Sequence, residues 1–230
     1  MLIIGHRGAA GLARENSMEA LQAGLDADAD MLEFDIRLTK DRIPVLIHDA
    51  TMRTSHGTSI ISQLTFDELS ERSSDMPLVL LSDVLDTFFG RILLNIELKG
   101  RSTGSVVVDL VKEYIKKPND WDNVIFSSFK GAELSVVRRQ SKRANLALLH
   151  NQNPFLFIAY HRRLRLTAVG FHRLYVNPFA LEIAKRSGIF TYAYTVNRPH
   201  TAAILAEQGI DGIVTDNPLA ILKEVDKLDS

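Results

Sequence analysis

The chain has 230 residues, 46% of them hydrophobic and 24% charged, with a net charge of −1. That composition suffices for one large core, and a near-neutral chain without a basic block offers no obvious surface to nucleic acid. Cysteine is absent, which excludes disulfides, thiolate zinc sites and cysteine nucleophiles.

From the N-terminus, Met1 to Ile4 runs straight into Gly5 without a basic or long apolar leader, and no apolar run approaches the ~20 residues of a membrane span. The expected setting is the cytoplasm, without membrane insertion. Short β-rich runs are expected at Leu2–Gly5, Met31–Leu38, Val45–Ile47, Ile92–Leu98 and Val124–Ser127. Four more follow at Leu146–Leu149, Ala168–Phe171, Phe190–Thr195 and Gly212–Val214. Helical spacing separates most of them: Ser17–Asp26, Val106–Lys117, Gly131–Lys142, Ala180–Ser187, Thr201–Gln208 and Leu219–Leu228. This β-then-α order implies parallel strands joined by helical crossovers.

Only Thr39 to Pro44 separate Leu38 from Val45. A parallel crossover needs a dozen or more residues, so these two strands form an antiparallel hairpin. Removing the Val45–Asp49 segment leaves eight strands, the count of a closed barrel. The expectation is an α/β fold: a single (β/α)8 TIM-type barrel spanning residues 1–230, with an extra rim hairpin strand and a short flap after it. An open doubly wound sheet is the competing architecture. Thr51 to Pro77, rich in Ser, Thr, Arg and Asp, forms the flap, with a short helix around Phe66–Glu71.

The chemistry concentrates on strand ends. In Glu33-Phe34-Asp35 the two carboxylates lie two positions apart and share one face. Charges that close repel unless one is protonated or a cation intervenes. A hard divalent ion, Mg²⁺ or Ca²⁺, suits such oxygen ligands; a half-exposed acidic strand face is the alternative. Asn95, Glu97 and Lys99 repeat the pattern on another strand, where a simple surface ion pair is the alternative. Three carboxylates and one divalent ion sum to −1, and Arg7 and Lys99 would offset that charge. His6 and His48 each close a strand. Either could be structural alone; together they could supply the acid and the base of phosphodiester cleavage. Arg7 can grip a phosphate through two hydrogen bonds, and Gly8 lets the backbone approach a ligand closely.

Several further residues admit bland readings. Asn16 reads as a helix N-cap with Glu19 completing a capping box, or equally as a substrate contact, the two being compatible, while Glu15, on the loop after the first strand, could reach the site. His56, His150, His161 and His200 read as surface or packing residues, and His172 could face the barrel mouth. Phe155, Leu156, Phe157 and Tyr160 fit a buried helix face, with His161 to Arg165 its solvated end.

The conjunction resembles the glycerophosphodiester phosphodiesterase family. The resemblance is carried by Gly5-His6-Arg7-Gly8, Glu15-Asn16-Ser17, Asp30 to Asp35, Leu38 to Asp41, and Pro44 to Asp49. It continues through Asn95 to Lys99, Ser127-Ser128-Phe129, Tyr192 to Asn197, and Gly209 to Pro218. It implies a barrel that cleaves glycerophosphodiesters to sn-glycerol 3-phosphate and an alcohol. Glu33, Asp35 and Glu97 would hold one divalent cation, and His6 and His48 would share acid–base work. Arg7, Lys99, Glu15 and Tyr194 would contact substrate. The sequence departs from the family pattern at Arg14, where proline is usual, at Arg42, where a hairpin glycine is usual, and at Tyr194, where tryptophan is common. A lysophospholipase D would use the same set, given an apolar rim that the polar flap does not provide. A non-catalytic phosphodiester-binding barrel would be expected to lack one of these groups. Oligomeric state has no signature in the sequence.

Overall fold

The structure, a computed structural model, describes residues 1–54, 57–73 and 77–228. The strands are β1 (Leu2–Gly5), β2 (Met31–Leu38), β3 (Pro44–Leu46), β4 (Thr51–Thr54), β5 (Gly57–Ile60), β6 (Leu93–Leu98), β7 (Val124–Ser128), β8 (Asn145–His150), β9 (Ala168–His172), β10 (Phe190–Tyr194) and β11 (Gly212–Thr215). The helices are α1 (Met18–Asp26), α2 (Phe66–Arg72), α3 (Leu81–Phe88), α4 (Thr103–Tyr114), α5 (Gly131–Gln140), α6 (Leu156–Leu164), α7 (Pro178–Arg186), α8 (Pro199–Glu207) and α9 (Pro218–Leu228).

Eight parallel strands run β1-β2-β6-β7-β8-β9-β10-β11, and β11 pairs back onto β1. That closure settles the choice between barrel and open sheet. β3 lies outside the ring, antiparallel to β2, with Ile36 opposite Leu46. Side chains alternate along each strand. On β2, Leu32, Phe34 and Ile36 join the apolar layer between sheet and helices, while Met31 joins the cluster inside the ring with Ile4, Ala147, Tyr192 and Val214. Glu33 and Asp35 share the inward parity of Met31.

Two elements were not anticipated. The flap contains the β4–β5 hairpin, with Thr51 opposite Ile60; its alternation is too polar to announce a strand. Ile61, Leu64 and Leu69 pack under the flap against Val45. Helix α3 buries Leu81, Val84, Leu85 and Phe88, the i, i+3, i+4, i+7 spacing of an amphipathic helix. As the crossover helix of the second β/α unit, it shows that residues 39 to 80 are an insertion after β2. The insertion therefore lies on the C-terminal mouth of the barrel, where such folds carry their sites.

Two local expectations need correction. The N-cap of α1 is Ser17, whose side chain accepts from the Ala20 amide at 3.1 Å; Asn16 has φ 54° and turns its side chain to β2. On α6, Phe157 is buried but Phe155 and Leu156 are 37% and 36% exposed, so the apolar run straddles the helix start and only part of it faces the core. The segment after Tyr160 does end that helix, with Arg162 and Arg163 exposed. In the β2–β3 hairpin, Arg42 takes φ 67°, the left-handed conformation for which glycine is better suited.

Candidate active site

The loop after β1 is built to bring groups over β2. The His6 amide donates to the Thr215 carbonyl at 2.8 Å, and the Gly8 amide to the Glu33 carbonyl at 2.9 Å. Gly8 has φ 87°, and a Cβ there would meet Ala20 and Leu21 backbone at 2.5–2.7 Å. Only glycine fits where the loop crosses α1. Arg7, also left-handed at φ 51°, donates its amide to the Glu33 carboxylate at 2.9 Å.

Glu33, Asp35 and Glu97 converge as their spacing predicts. Asp35 stands beside Glu97 in the β2–β6 register. All three are buried, and one oxygen from each lies within 4.8 Å of the others. Burial, then Asp35 and Glu97, pushes the Glu33 carboxyl well above its usual range. Burial and Asp35 likewise push Glu97 up to about 7. Burial also opposes ionisation of Asp35, but Lys99, Asn16 and His48 outweigh it and hold Asp35 low. Asn16 clasps Asp35 twice, donating to its carboxylate at 3.0 Å and accepting from its amide at 3.1 Å. The Lys99 ammonium lies 2.7 Å from Glu97 and 3.2 Å from Asp35, and Arg7 Nε 3.5 Å from Asp35.

A buried all-oxygen set whose members resist joint ionisation fits a hard divalent cation, which would remove the repulsion. This acidic cluster could hold a metal ion.

Both histidines carry an acid on Nδ1. His6 Nδ1 lies 2.5 Å from Asp216, and His48 Nδ1 lies 2.7 Å from Asp49. Asn197 in turn donates to Asp216 and accepts the Asp216 amide at 2.9 Å. The hydrogen bond with His6 holds the Asp216 carboxyl below its usual range against the pull of burial. A carboxylate on one ring nitrogen fixes the tautomer and leaves the other nitrogen to exchange a proton.

A cavity of about 40 Å³ is lined by His6, Glu33, Glu97, Phe129, Tyr192 and Tyr194, among others. A second, of about 260 Å³, is lined by Glu15, Asn16, His48 and Asp49 with the flap residues Thr51, Met52 and Arg53. Glu15 faces Arg7, carboxylate to guanidinium at 2.7 Å. Tyr194 donates to the His150 carbonyl at 2.8 Å and meets Phe129 edge to face. Lys99 lies over the Phe129 ring.

The remaining histidines divide simply. His150 is buried against Phe171, and burial pulls it down to about 4. His172 accepts from the Leu174 amide and touches Tyr194 edge to face. His161 is half-buried and His200 exposed; His56 lies outside the described residues.

Sequence reasoning missed Asp216, Asn197 and the grip of Asn16 on Asp35. The usable signal for Asp216 was its place just after the last barrel strand, which closure sets against the end of the first.

The sequence profile of the Glycerophosphoryl diester phosphodiesterase family matches residues 6–220. A glycerophosphodiester phosphodiesterase of Caldanaerobacter subterraneus subsp. tengcongensis is 30% identical over 98% of this chain and 98% of its own. One from Bacillus altitudinis is 29% identical over 94% of each. An Oleispira antarctica phosphodiesterase, solved with the product sn-glycerol-3-phosphate, superposes with TM-score 0.85 at 24% identity, over 98% of this chain and 97% of that one.

Proposed function

The chain belongs to the glycerophosphoryl diester phosphodiesterase family, and on that premise we propose that it hydrolyses glycerophosphodiesters to sn-glycerol 3-phosphate and an alcohol, residues 1–230 acting as one domain. The observation that carries the reading is the meeting of three buried carboxylates with two acid-partnered histidines and two cationic side chains at one end of the barrel.

Glu33, Asp35 and Glu97 would hold one Mg²⁺ or Ca²⁺. When bound, that ion supplies Lewis-acid polarisation of a phosphoryl oxygen. Arg7 and Lys99 neutralise charge that gathers on the phosphoryl oxygens in the transition state. His6 and His48 divide the proton transfers: one takes a proton from the attacking oxygen, of water or of the glycerol 2-hydroxyl, and the other protonates the departing alkoxide, a cyclic phosphate formed by the 2-hydroxyl being opened by water in a second step. Asp216 and Asp49 orient the two imidazoles. Glu15 holds Arg7 in place, and Tyr194, braced by Phe129, bounds the pocket for the substrate.

One observation favours a second reading, cleavage of lysophospholipids by the same chemistry. Phe155, Leu156, Leu174, Tyr175 and Phe179 are exposed, Leu174 by 74% and Phe179 by 68%, on segments that follow β8 and β9. The apolar rim that the flap does not provide is thus available elsewhere on the mouth. No helix among the described residues is long and apolar enough to cross a membrane. Incubation with glycerophosphocholine, glycerophosphoethanolamine and lysophosphatidylcholine separates the readings. Release of sn-glycerol 3-phosphate from the first two alone supports the first; hydrolysis of the lysolipid alone replaces it with the second.

A further inference from the structure

The mouth of the barrel holds another cleft, of about 400 Å³, lined by Arg37, Lys40, Arg42, Arg101 and Lys130 with Ser62. None of these five cations takes part in an ion pair among the described residues. Asp35, Asp49 and Glu97 face Arg37, and Glu68 faces Lys40; two of those four acids belong to the carboxylate cluster.

The cleft adjoins the active site. Arg37 has the parity of Glu33 and Asp35 on β2, two residues beyond Asp35, or ~7 Å along the strand. Its Nε donates to the His48 carbonyl at 2.8 Å. Lys130 Nζ donates to the Lys99 carbonyl at 2.7 Å. The cleft is therefore tied by hydrogen bonds to the backbone of one proposed acid–base residue and one proposed charge-neutralising residue. Arg37 is half-buried and makes no contact ion pair with the acids that face it; an incoming anion in direct contact offsets the cost of burying its guanidinium.

We propose that this cleft binds a second phosphate group of the substrate, so that glycerophosphodiesters whose leaving alcohol bears a further phosphate are preferred. The inference rests on the phosphodiesterase reading above. Phosphate suits the site better than carboxylate, because it brings ~1.5–2 negative charges and three acceptor oxygens that guanidinium groups engage in pairs. The concave form, with a volume near that of small-ligand pockets, favours a compact group over an extended anionic surface.

The test compares three soluble substrates with the full-length, cation-supplied protein: glycerophosphoglycerol, the same compound with a terminal phosphate monoester, and that monoester capped as a methyl diester. The expected result is a kcat/KM about tenfold higher for the phosphate-bearing compounds, expressed in KM and weakened by salt. A gain for the monoester alone, or for both, identifies the source of the phosphate and supports the proposal. The double variant Lys40→Glu/Arg101→Glu, checked for folding by circular dichroism, should lose this preference while hydrolysing glycerophosphoglycerol at the parent rate. Equal kcat/KM for all three substrates in the parent protein overturns the proposal and leaves the phosphodiesterase reading intact. Failure to hydrolyse any of them removes both. Binding of the parent but not the double variant to anionic lipid vesicles, with no substrate preference, would overturn it in favour of a lipid surface.

Discussion

At the scale of single residues, the site runs on paired groups that restrain each other. Asp216 gives His6 its orientation, and Asn197 gives Asp216 its own. Asp216→Asn keeps the shape but can present an amide donor to Nδ1, favouring the wrong tautomer. Turnover should fall by ~10²–10⁴-fold while the melting temperature stays near the parent value. An unchanged kcat would remove the pair from the mechanism. The carboxylates make a prediction about pH. Glu97 rises from 4.5 to about 7 on folding, and Glu33 rises as well. Between pH 4.5 and 7 the folded, metal-free chain thus holds protons that the unfolded chain has lost. Its stability must then fall as pH rises through that window. A divalent cation reverses the loss by compensating the ionised carboxylates. Thermal melts with and without Mg²⁺ or Ca²⁺ should show a larger cation-induced rise in Tm at pH 8 than at pH 5. Equal rises at both pH values would contradict the assignment.

The period-2 spacing of Glu33 with Asp35, and of Asn95 with Glu97, was legible because alternation along a strand is a local property. The pairing of His6 with Asp216 was not, since the residues lie 210 positions apart and meet only once the ring closes. Asn16 was misplaced for a related reason. A capping residue and a carboxylate clamp look alike until the loop's left-handed turn moves the cap to Ser17.

At the scale of elements, the loop from β1 into α1 carries the most constraint. Its path is fixed by the hydrogen bonds that the His6 and Gly8 amides donate to the Thr215 and Glu33 carbonyls and by the close passage of Gly8 over α1. Gly8→Ala must displace helix backbone and hold alanine at a positive φ. The expected cost is ~2 kcal/mol or more, with cation affinity falling too, because Arg7 and the Glu33 contacts move. Urea denaturation and cation titration check the two effects; a variant as stable as the parent would show that the loop is not rigid. The hairpin β2–β3 was readable from loop length alone. Helix α3 was readable in principle from its apolar spacing but lies behind a long polar insertion, and β4–β5 lacks the apolar alternation that would reveal it. The insertion's position after β2 places it over the site side of the barrel.

At the scale of the whole molecule, eight parallel strands direct their C-terminal ends to one mouth. The three carboxylates, both histidines, Arg7, Lys99 and the basic cleft come from the ends of β1, β2, β6 and β7 and the loops beyond them. β11 adds Asp216. Repeated β/α order was enough to indicate this architecture, because successive parallel crossovers between eight strands leave few alternatives. The finer arrangement, including which mouth loops are basic and which apolar, depends on packing that alternation does not encode. Every step of the proposed reaction depends on the carboxylate cluster holding a cation. The most direct test follows glycerophosphocholine hydrolysis by phosphorus NMR with protein exhaustively stripped of divalent ions and then titrated with Mg²⁺ or Ca²⁺. The account predicts no sn-glycerol 3-phosphate from the stripped protein and full recovery near one equivalent of a tightly bound ion. An undiminished rate in the stripped protein would contradict it.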